Sequence, residues 1–308
     1  MPRPDDRISI AARGYHETAE RDLSDVCANH WSDAAVGALR EAHALGLIDG
    51  GADVAIQSTI PAGSGLSSSA ALIVAMLKAA REFDGSDLSD TEIALAARRV
   101  ENDYIGVPCG IMDQMAVAIA QPGEAMALDT ATLAYRVVKL PKSHDMVVIH
   151  SGRTRKLSDG RYAARKEECD AAKTAFSTEE LCLLDPVKIE DETRVDELIR
   201  RRARHCATEH RRVLAAVEAI EGGDTCQFGA LMNASHASMR DDFEISLPSI
   251  DELVDDAVSF GAVGARLTGG GFGGCIVACI ERSVRESWQG QLLSAHPKAS
   301  FVDAVSAN

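Results

Sequence analysis

The sequence predicts an α+β protein of two lobes. Strand-like and helix-like segments are mixed along 308 residues without the strict βαβ alternation of a parallel sheet. Apolar residues make up 46% and charged residues 26%, an ordinary balance for a folded chain, and the length can bury more than one core. A strand-like segment runs into a turn rich in glycine and serine, and then into an apolar helical run. The lobes are expected at residues 1–150 and 151–308.

Each element has a local reason. Residues 7–12 alternate weakly and predict a strand. Trp31 to Ala44 predicts a helix with Val36 and Leu39 near one face. Asp53 to Ile60 predicts a strand into the glycine- and serine-rich turn, and Ser69 to Phe83 a helix stopped near Asp84-Gly85. Ser89-Asp90-Thr91-Glu92 is a capping signature for a helix from Ile93 to Tyr104. Gly110 to Ala120 predicts a further helix, Ala125–Leu128 and Ala134–Leu140 a pair of strands, and Met146–His150 a buried strand. Beyond Ser151, helices are expected at Tyr162–Phe176, Arg194–Ala219, Thr225–Arg240 and Pro248–Phe260, followed by a buried strand at Cys275–Ile280. Glu179 to Glu197 reads as an exposed loop with little packing. Arg200, Arg201, Arg202 and Arg204 read as a solvated helix face.

Composition excludes several classes of function. A net charge of −15 argues against nucleic acid or an anionic membrane as partner, because phosphate backbones need clustered lysine and arginine. No apolar run reaches the length of a membrane span, and Met1 to Asp6 lacks the apolar core of a signal peptide, so a cytoplasmic location is expected. The eight cysteines contain no Cys-x-x-Cys pair and are expected as reduced, packed thiols. The nine histidines contain no His-x-x-x-His pair, which argues against zinc. No Gly-x-Ser-x-Gly string points to a hydrolase.

Three strings carry chemistry. Pro61-Ala62-Gly63-Ser64-Gly65-Leu66-Ser67-Ser68-Ser69-Ala70-Ala71 puts backbone N–H groups, serine hydroxyls and the positive end of a helix dipole at one point, which suits a phosphate. The competing reading is a plain turn with a serine cap. No lysine follows Gly65, so this is not a Walker A loop, and the phosphate charge must be met from elsewhere. Val107-Pro108-Cys109-Gly110-Ile111-Met112-Asp113-Gln114 is a turn leading into a helix with a carboxylate just inside it, where an acidic residue also simply complements the dipole. Thr268-Gly269-Gly270-Gly271-Phe272-Gly273-Gly274 has too many glycines for a helix or strand interior and otherwise reads as a bulged turn.

Together these strings resemble the GHMP kinases, and in detail the galactokinase branch. The resemblance extends over nearly the whole chain from Asp53, including Val100 to Gly106, Tyr162 to Cys169, Arg204 to Glu209 and Asn233 to Ser246. Trp31 and Gly37 resemble a helix start that precedes the phosphate loop in that branch, although Ala34 stands where the branch has tyrosine. The resemblance implies a first domain like domain 2 of ribosomal protein S5 and a ferredoxin-like second domain. It implies ATP phosphates held by Pro61, Gly63, Ser64, Gly65, Leu66, Ser67, Ser68 and Ser69, and Mg²⁺ held by Ser68 and Glu101. Asp113 would be the catalytic base, with Gly110, Asp113 and Tyr162 against the sugar and Gly269, Gly270 and Gly271 in a loop beside the site. Arg155 would lie near a phosphate. The implied reaction is phosphorylation of D-galactose to galactose 1-phosphate by a monomer or weak homodimer.

One departure stands out. The branch opens with Gly-Arg-Val-Asn-Leu-Ile-Gly-Glu-His-Thr-Asp-Tyr, and here Arg13-Gly14-Tyr15-His16-Glu17-Thr18 shares residue types only, which predicts an N-terminally shortened first domain. Two other expectations therefore stand beside the first: a catalytically impaired or non-catalytic protein that binds nucleotide or sugar, and a kinase of another sugar such as N-acetylgalactosamine.

Overall fold

The computed structural model describes residues 1–60, 66–153 and 160–306, with the side chain of Tyr162 excepted. The described residues form two compact units. One takes in residues 1–60, 67–121 and 128–136, and the other residue 66 with 122–127, 137–153 and 160–306.

The first unit is built on a three-stranded sheet in the order β2-β1-β3. Strand β1 (Arg7–Ala12) pairs antiparallel with β2 (Ala19–Asp22) and parallel with β3 (Asp53–Ile56). Ile8 and Ile10 point to one face and are fully buried, as the period-two pattern of a half-buried strand requires. Helices α1 (Asp33–Ala44), α2 (Ser68–Asp84), α3 (Asp90–Arg99) and α4 (Met112–Ile119) pack on one another through Val36, Leu39, Ile73, Val74, Leu77, Ile93 and Met115, with alanines between them. The expected capping box starts α3: Glu92 N–H donates to Ser89 Oγ at 3.2 Å, and Ser89 N–H donates to Glu92 Oε2 at 2.8 Å. Gly85, left-handed, ends α2 as expected. The helix expected to run to Tyr104 instead changes pitch after Arg99 and finishes as a π-helical turn, Val100–Ile105. Such turns recur at functional sites.

Strands β4 (Glu124–Leu128) and β5 (Tyr135–Lys139) pair with each other as expected.

In the second unit β6 (His144–His150), β7 (Gly264–Leu267), β8 (Cys275–Glu281) and β9 (Ser300–Ser306) form an antiparallel sheet in the order β7-β8-β6-β9. Helices lie between β6 and β7, and α10 (Arg285–Ala295) lies between β8 and β9, so the chain traces the split βαβ pattern of ferredoxin-like domains. Strand β6 precedes the boundary expected at residue 150 and belongs to this sheet. Strand β6 is hydrogen-bonded on both edges to β8 and β9, so cutting after it would remove a central strand.

The sheet face carrying Val147, Ile149, Ile276, Ala278 and Ile280 packs under α9 (Pro248–Ser259) and α10, with Leu253, Val254 and Trp288 filling the layer. Helix α8 (Thr225–Asp241) lies against β7. A second cluster joins α5 (Arg161–Ala175), α6 (Pro186–Asp191) and α7 (Glu197–Glu221) through Ala172, Leu181, Ile189, Ala203 and Ala207. The segment Glu179–Glu197 is therefore not a loosely packed loop. Leu181 and Ile189 are buried in that cluster, and Asp185 caps α6 by accepting from Val187 N–H at 3.1 Å. No described helix is long and apolar enough to cross a membrane.

Candidate active site

Of the glycine- and serine-rich turn, Pro61, Gly63, Ser64 and Gly65 lie outside the described residues, as does Arg155. Leu66 and Ser67 lead into α2, and Ser68 and Ser69 form its first turn. Ser67 is held left-handed at φ 53°, its side chain makes no capping hydrogen bond, and the first turn has no acidic residue. The N–H groups and positive dipole of this turn are thus not claimed by a carboxylate of their own turn. The serine cap of the competing reading is absent.

Glu101 sits on the π-helical turn, and the segment carrying Gly110 and Asp113 is stitched to it. Val107 N–H donates to the Glu101 carbonyl at 2.9 Å, and Cys109 N–H to Asn102 Oδ1 at 2.9 Å. The Cys109 thiol lies 3.3 Å from Asn102 Oδ1 and 3.5 Å from Glu101 Oε2. Gln114, almost fully buried on α4, donates its amide N–H to the same Glu101 oxygen. Burial, aided by the Glu101 charge, pushes the Cys109 thiol above its usual range, so it stays a neutral donor. Glu101 is thereby fixed through Oε2.

Asp113 stands in the first turn of α4, half-buried, next to the residue that holds Glu101. Among the described residues none forms a hydrogen bond or ion pair with its carboxylate. Gly110 is exposed, and a Cβ there would meet nothing within 4 Å. The structure joins Glu101 to the Gly110–Asp113 segment; no hydrogen bond joins Ser68 to Glu101 among the described residues. Gln114 and Cys109 escaped the sequence reading. Both stand in the string read for Asp113, but their contacts with Glu101 arise only in the tertiary structure. Trp31 stacks on Tyr15 with ring centroids 4.3 Å apart. Among the described residues no group of three or more His, Cys, Asp or Glu side chains converges on a metal position.

In the second unit the glycine loop is strongly constrained. Gly269, Gly271, Phe272, Gly273 and Gly274 all have positive φ. Gly271, at φ 80°, lies so close to Ile245 that a Cβ would come within 2.6 Å of both its Cβ and its carbonyl oxygen. Phe272 N–H donates to that carbonyl at 2.7 Å, and Gly274 N–H donates to the Arg153 carbonyl at 2.8 Å. Gly270 immediately precedes the first of these anchors. The Arg161 guanidinium stands 4.4 Å from the Phe272 ring centroid, so the first turn of α5, which carries Tyr162, is attached to the loop.

The arginines of α7 do not form a solvated face. Arg202 is fully buried, with Nε 2.5 Å from Glu168 Oε2 and Nη2 2.6 Å from Glu244 Oε2. Burial of that charge is tolerable because it is paired and hydrogen-bonded.

Comparison with known proteins gives one answer in sequence and in structure. The family description "GHMP kinases N terminal domain" matches residues 30–121 and "GHMP kinases C terminal" matches residues 216–294. A galactokinase of Roseiflexus sp. (strain RS-1) is 38% identical over 97% of this chain and 79% of its own length. The crystal structure of Lactococcus lactis galactokinase complexed with galactose superposes with a TM-score of 0.92 at 29% identity, over 100% of this chain and 84% of that one. Mevalonate kinase of Methanococcus jannaschii, 19% identical, shares the fold at a TM-score of 0.69 over 100% of this chain and 87% of its own.

Proposed function

The chain belongs to the GHMP kinases as a galactokinase homologue, and from that premise we propose that it transfers the γ-phosphoryl group of ATP to D-galactose, giving galactose 1-phosphate and ADP. The observation that carries the reading is the 38% identity over 97% of the chain. The carboxylate of Asp113, free of described partners and fixed beside the Glu101 clamp, is consistent with it.

Phosphoryl transfer depends on positioning and charge neutralisation more than on covalent help. Asp113 orients the acceptor hydroxyl and takes its proton as the bond to phosphorus forms. The run Pro61 to Ser69 receives the nucleotide phosphates at the start of α2. Gly110 and Tyr162 contact the sugar, and Gly269 to Gly271 border the site.

The GHMP kinases use ATP, and Mg²⁺ would neutralise its phosphates. Glu101 fits that ion: one oxygen is engaged by Gln114 and Cys109, and a carboxylate held through one oxygen can offer the other to a hard cation. Mg²⁺ keeps waters and binds phosphates, so one carboxylate with the Ser68 hydroxyl is a sufficient protein share. The unit of residues 1–60, 67–121 and 128–136 is the nucleotide half and the other unit the second half. No step requires a second copy, so a monomer or weak homodimer in the cytoplasm suffices.

A coupled ADP-release assay with galactose, N-acetylgalactosamine and no sugar tests the reading. Galactose-dependent ADP release is expected. Nucleotide binding without it would mark a non-catalytic protein, and preference for N-acetylgalactosamine would change the substrate. Gln114→Leu, which frees Glu101, should raise the Mg²⁺ concentration for half-maximal rate by about 10–100-fold, the usual cost of losing a group that orients a metal ligand. Calorimetric Mg²⁺ titration in the presence of ADP should show the same loss; an unchanged Mg²⁺ affinity would remove Gln114 and Glu101 from the metal site.

A further inference from the structure

We propose that Glu244 and the arginines that grip it are positioning residues for the glycine loop, holding Gly271 and Phe272 in the geometry that turnover needs. The inference rests on the reading of that loop as part of the active site.

Helix α8 ends at Asp241, and the three successive carbonyls from that residue on are each taken by a different arginine. Arg201 Nη1 donates to the Asp241 carbonyl at 2.9 Å, Arg202 Nη1 to the Asp242 carbonyl, and Arg165 Nη1 to the Phe243 carbonyl at 3.1 Å. Cations are favoured at a helix C-terminus, where unsatisfied carbonyls and the negative dipole end coincide. Glu244 comes next. Its backbone is left-handed at φ 54°, a conformation that disfavours side chains other than glycine. Its carboxylate accepts from Arg202 Nη2 at 2.6 Å and Arg201 Nη1 at 3.0 Å. An unfavourable backbone is thus maintained by charged partners on α7, and such conformations persist only where surroundings over-determine them.

The next residue meets the loop. The Ile245 carbonyl accepts from Phe272 N–H, and its side chain touches Gly271. Phe272 is itself left-handed at φ 61°. One strained residue, Phe272, therefore hydrogen-bonds to the residue that follows the other, Glu244. If the turn at Glu244 relaxes, the Ile245 carbonyl moves and the loop loses its anchor. The ion-pair cluster thus ends one residue before the carbonyl that anchors the loop.

Glu244→Gly separates the two roles. It removes the carboxylate but also relieves the left-handed strain, and Arg202 keeps Glu168 and the Asp242 carbonyl, so the variant should stay folded at the assay temperature although the lost ion pairs lower its melting temperature. Turnover should fall about 10–100-fold, as expected for a misplaced site element, with ATP affinity by calorimetry unchanged. Hydrogen exchange of the peptide spanning Thr268–Cys275 should accelerate at the Phe272 amide. Glu244→Gln, which keeps the side-chain volume, should lose turnover in the same direction and serves should Glu244→Gly fail to fold. Turnover within about twofold of wild type in a folded variant would overturn the proposal. Gly271→Ala distinguishes the underlying reading. If it abolishes turnover while Glu244→Gly does not, only the positioning role fails; if a folded Gly271→Ala keeps full turnover, the loop lies outside the active site and both fail.

Discussion

Asp113→Asn should lower kcat by about 10²–10⁴-fold, the range lost with a general base, and leave ATP affinity unchanged. The substitution is nearly isosteric, and it falls at a carboxylate without a described partner, so folding has little at stake. The neighbouring grip of Gln114 on Glu101 survives, because it comes from the next side chain and not from Asp113. An amide at position 113 can still hold a sugar hydroxyl by a hydrogen bond, but it cannot take the proton. The loss should therefore appear in kcat more than in the KM for sugar. A near-normal kcat in the coupled ADP assay would show that the proton leaves by another route and would strip Asp113 of its role.

Gly229→Ala should destabilise the second unit severely. Helix α8 approaches β7 through two glycines: a Cβ on Gly229 would lie 2.1 Å from the Val263 carbonyl oxygen, and one on Gly264 would lie 2.3 Å from the Gly229 oxygen. Both obstacles are backbone atoms and cannot rotate away. The helix would have to lift off the strand, stretching the bonds from Ala265 N–H to Asn233 Oδ1, now 2.9 Å, and from Leu267 N–H to His236 Nδ1, now 3.3 Å. Overpacking of this kind costs about 3 kcal/mol at its upper range. For a unit of this size that corresponds to a fall in Tm of about 6–12 °C by calorimetry. Gly290→Ala on α10 is the control, since its Cβ would meet nothing within 4 Å and alanine favours helix. A Gly229→Ala protein melting as high as this control would refute the close approach.

Much of this molecule was legible before its structure. Ser89 and Glu92 announced α3 through a reciprocal hydrogen bond that spans three residues. The glycine run after Thr268 announced a break in regular structure, which the structure shows as a loop with several residues at positive φ. The string at Gly110–Gln114 pointed to Asp113 through its resemblance to a family. Other features were hidden for definite reasons. Strand β2 has the sequence Ala-Glu-Arg-Asp, with no apolar alternation, and is a strand because β1 supplies its hydrogen bonds. Strand β9 and helix α10 went unnoticed because their weak patterns become meaningful only against β6 and the core around Trp288.

The sequence by itself determined the local grammar: where helices start and stop, where the chain must turn left-handed, and which carboxylate stands at the start of α4. These features depend on neighbours within one turn. The tertiary structure decided that β6 belongs to the four-stranded sheet of the second unit, that Gln114 holds Glu101, and that Arg202 is buried. Arg202 finds Glu168 34 residues away and Glu244 42 residues away. Whether a charge is solvated or enclosed is set by partners at such distances, because desolvating it is tolerable only where opposite charge and hydrogen bonds are brought to meet it.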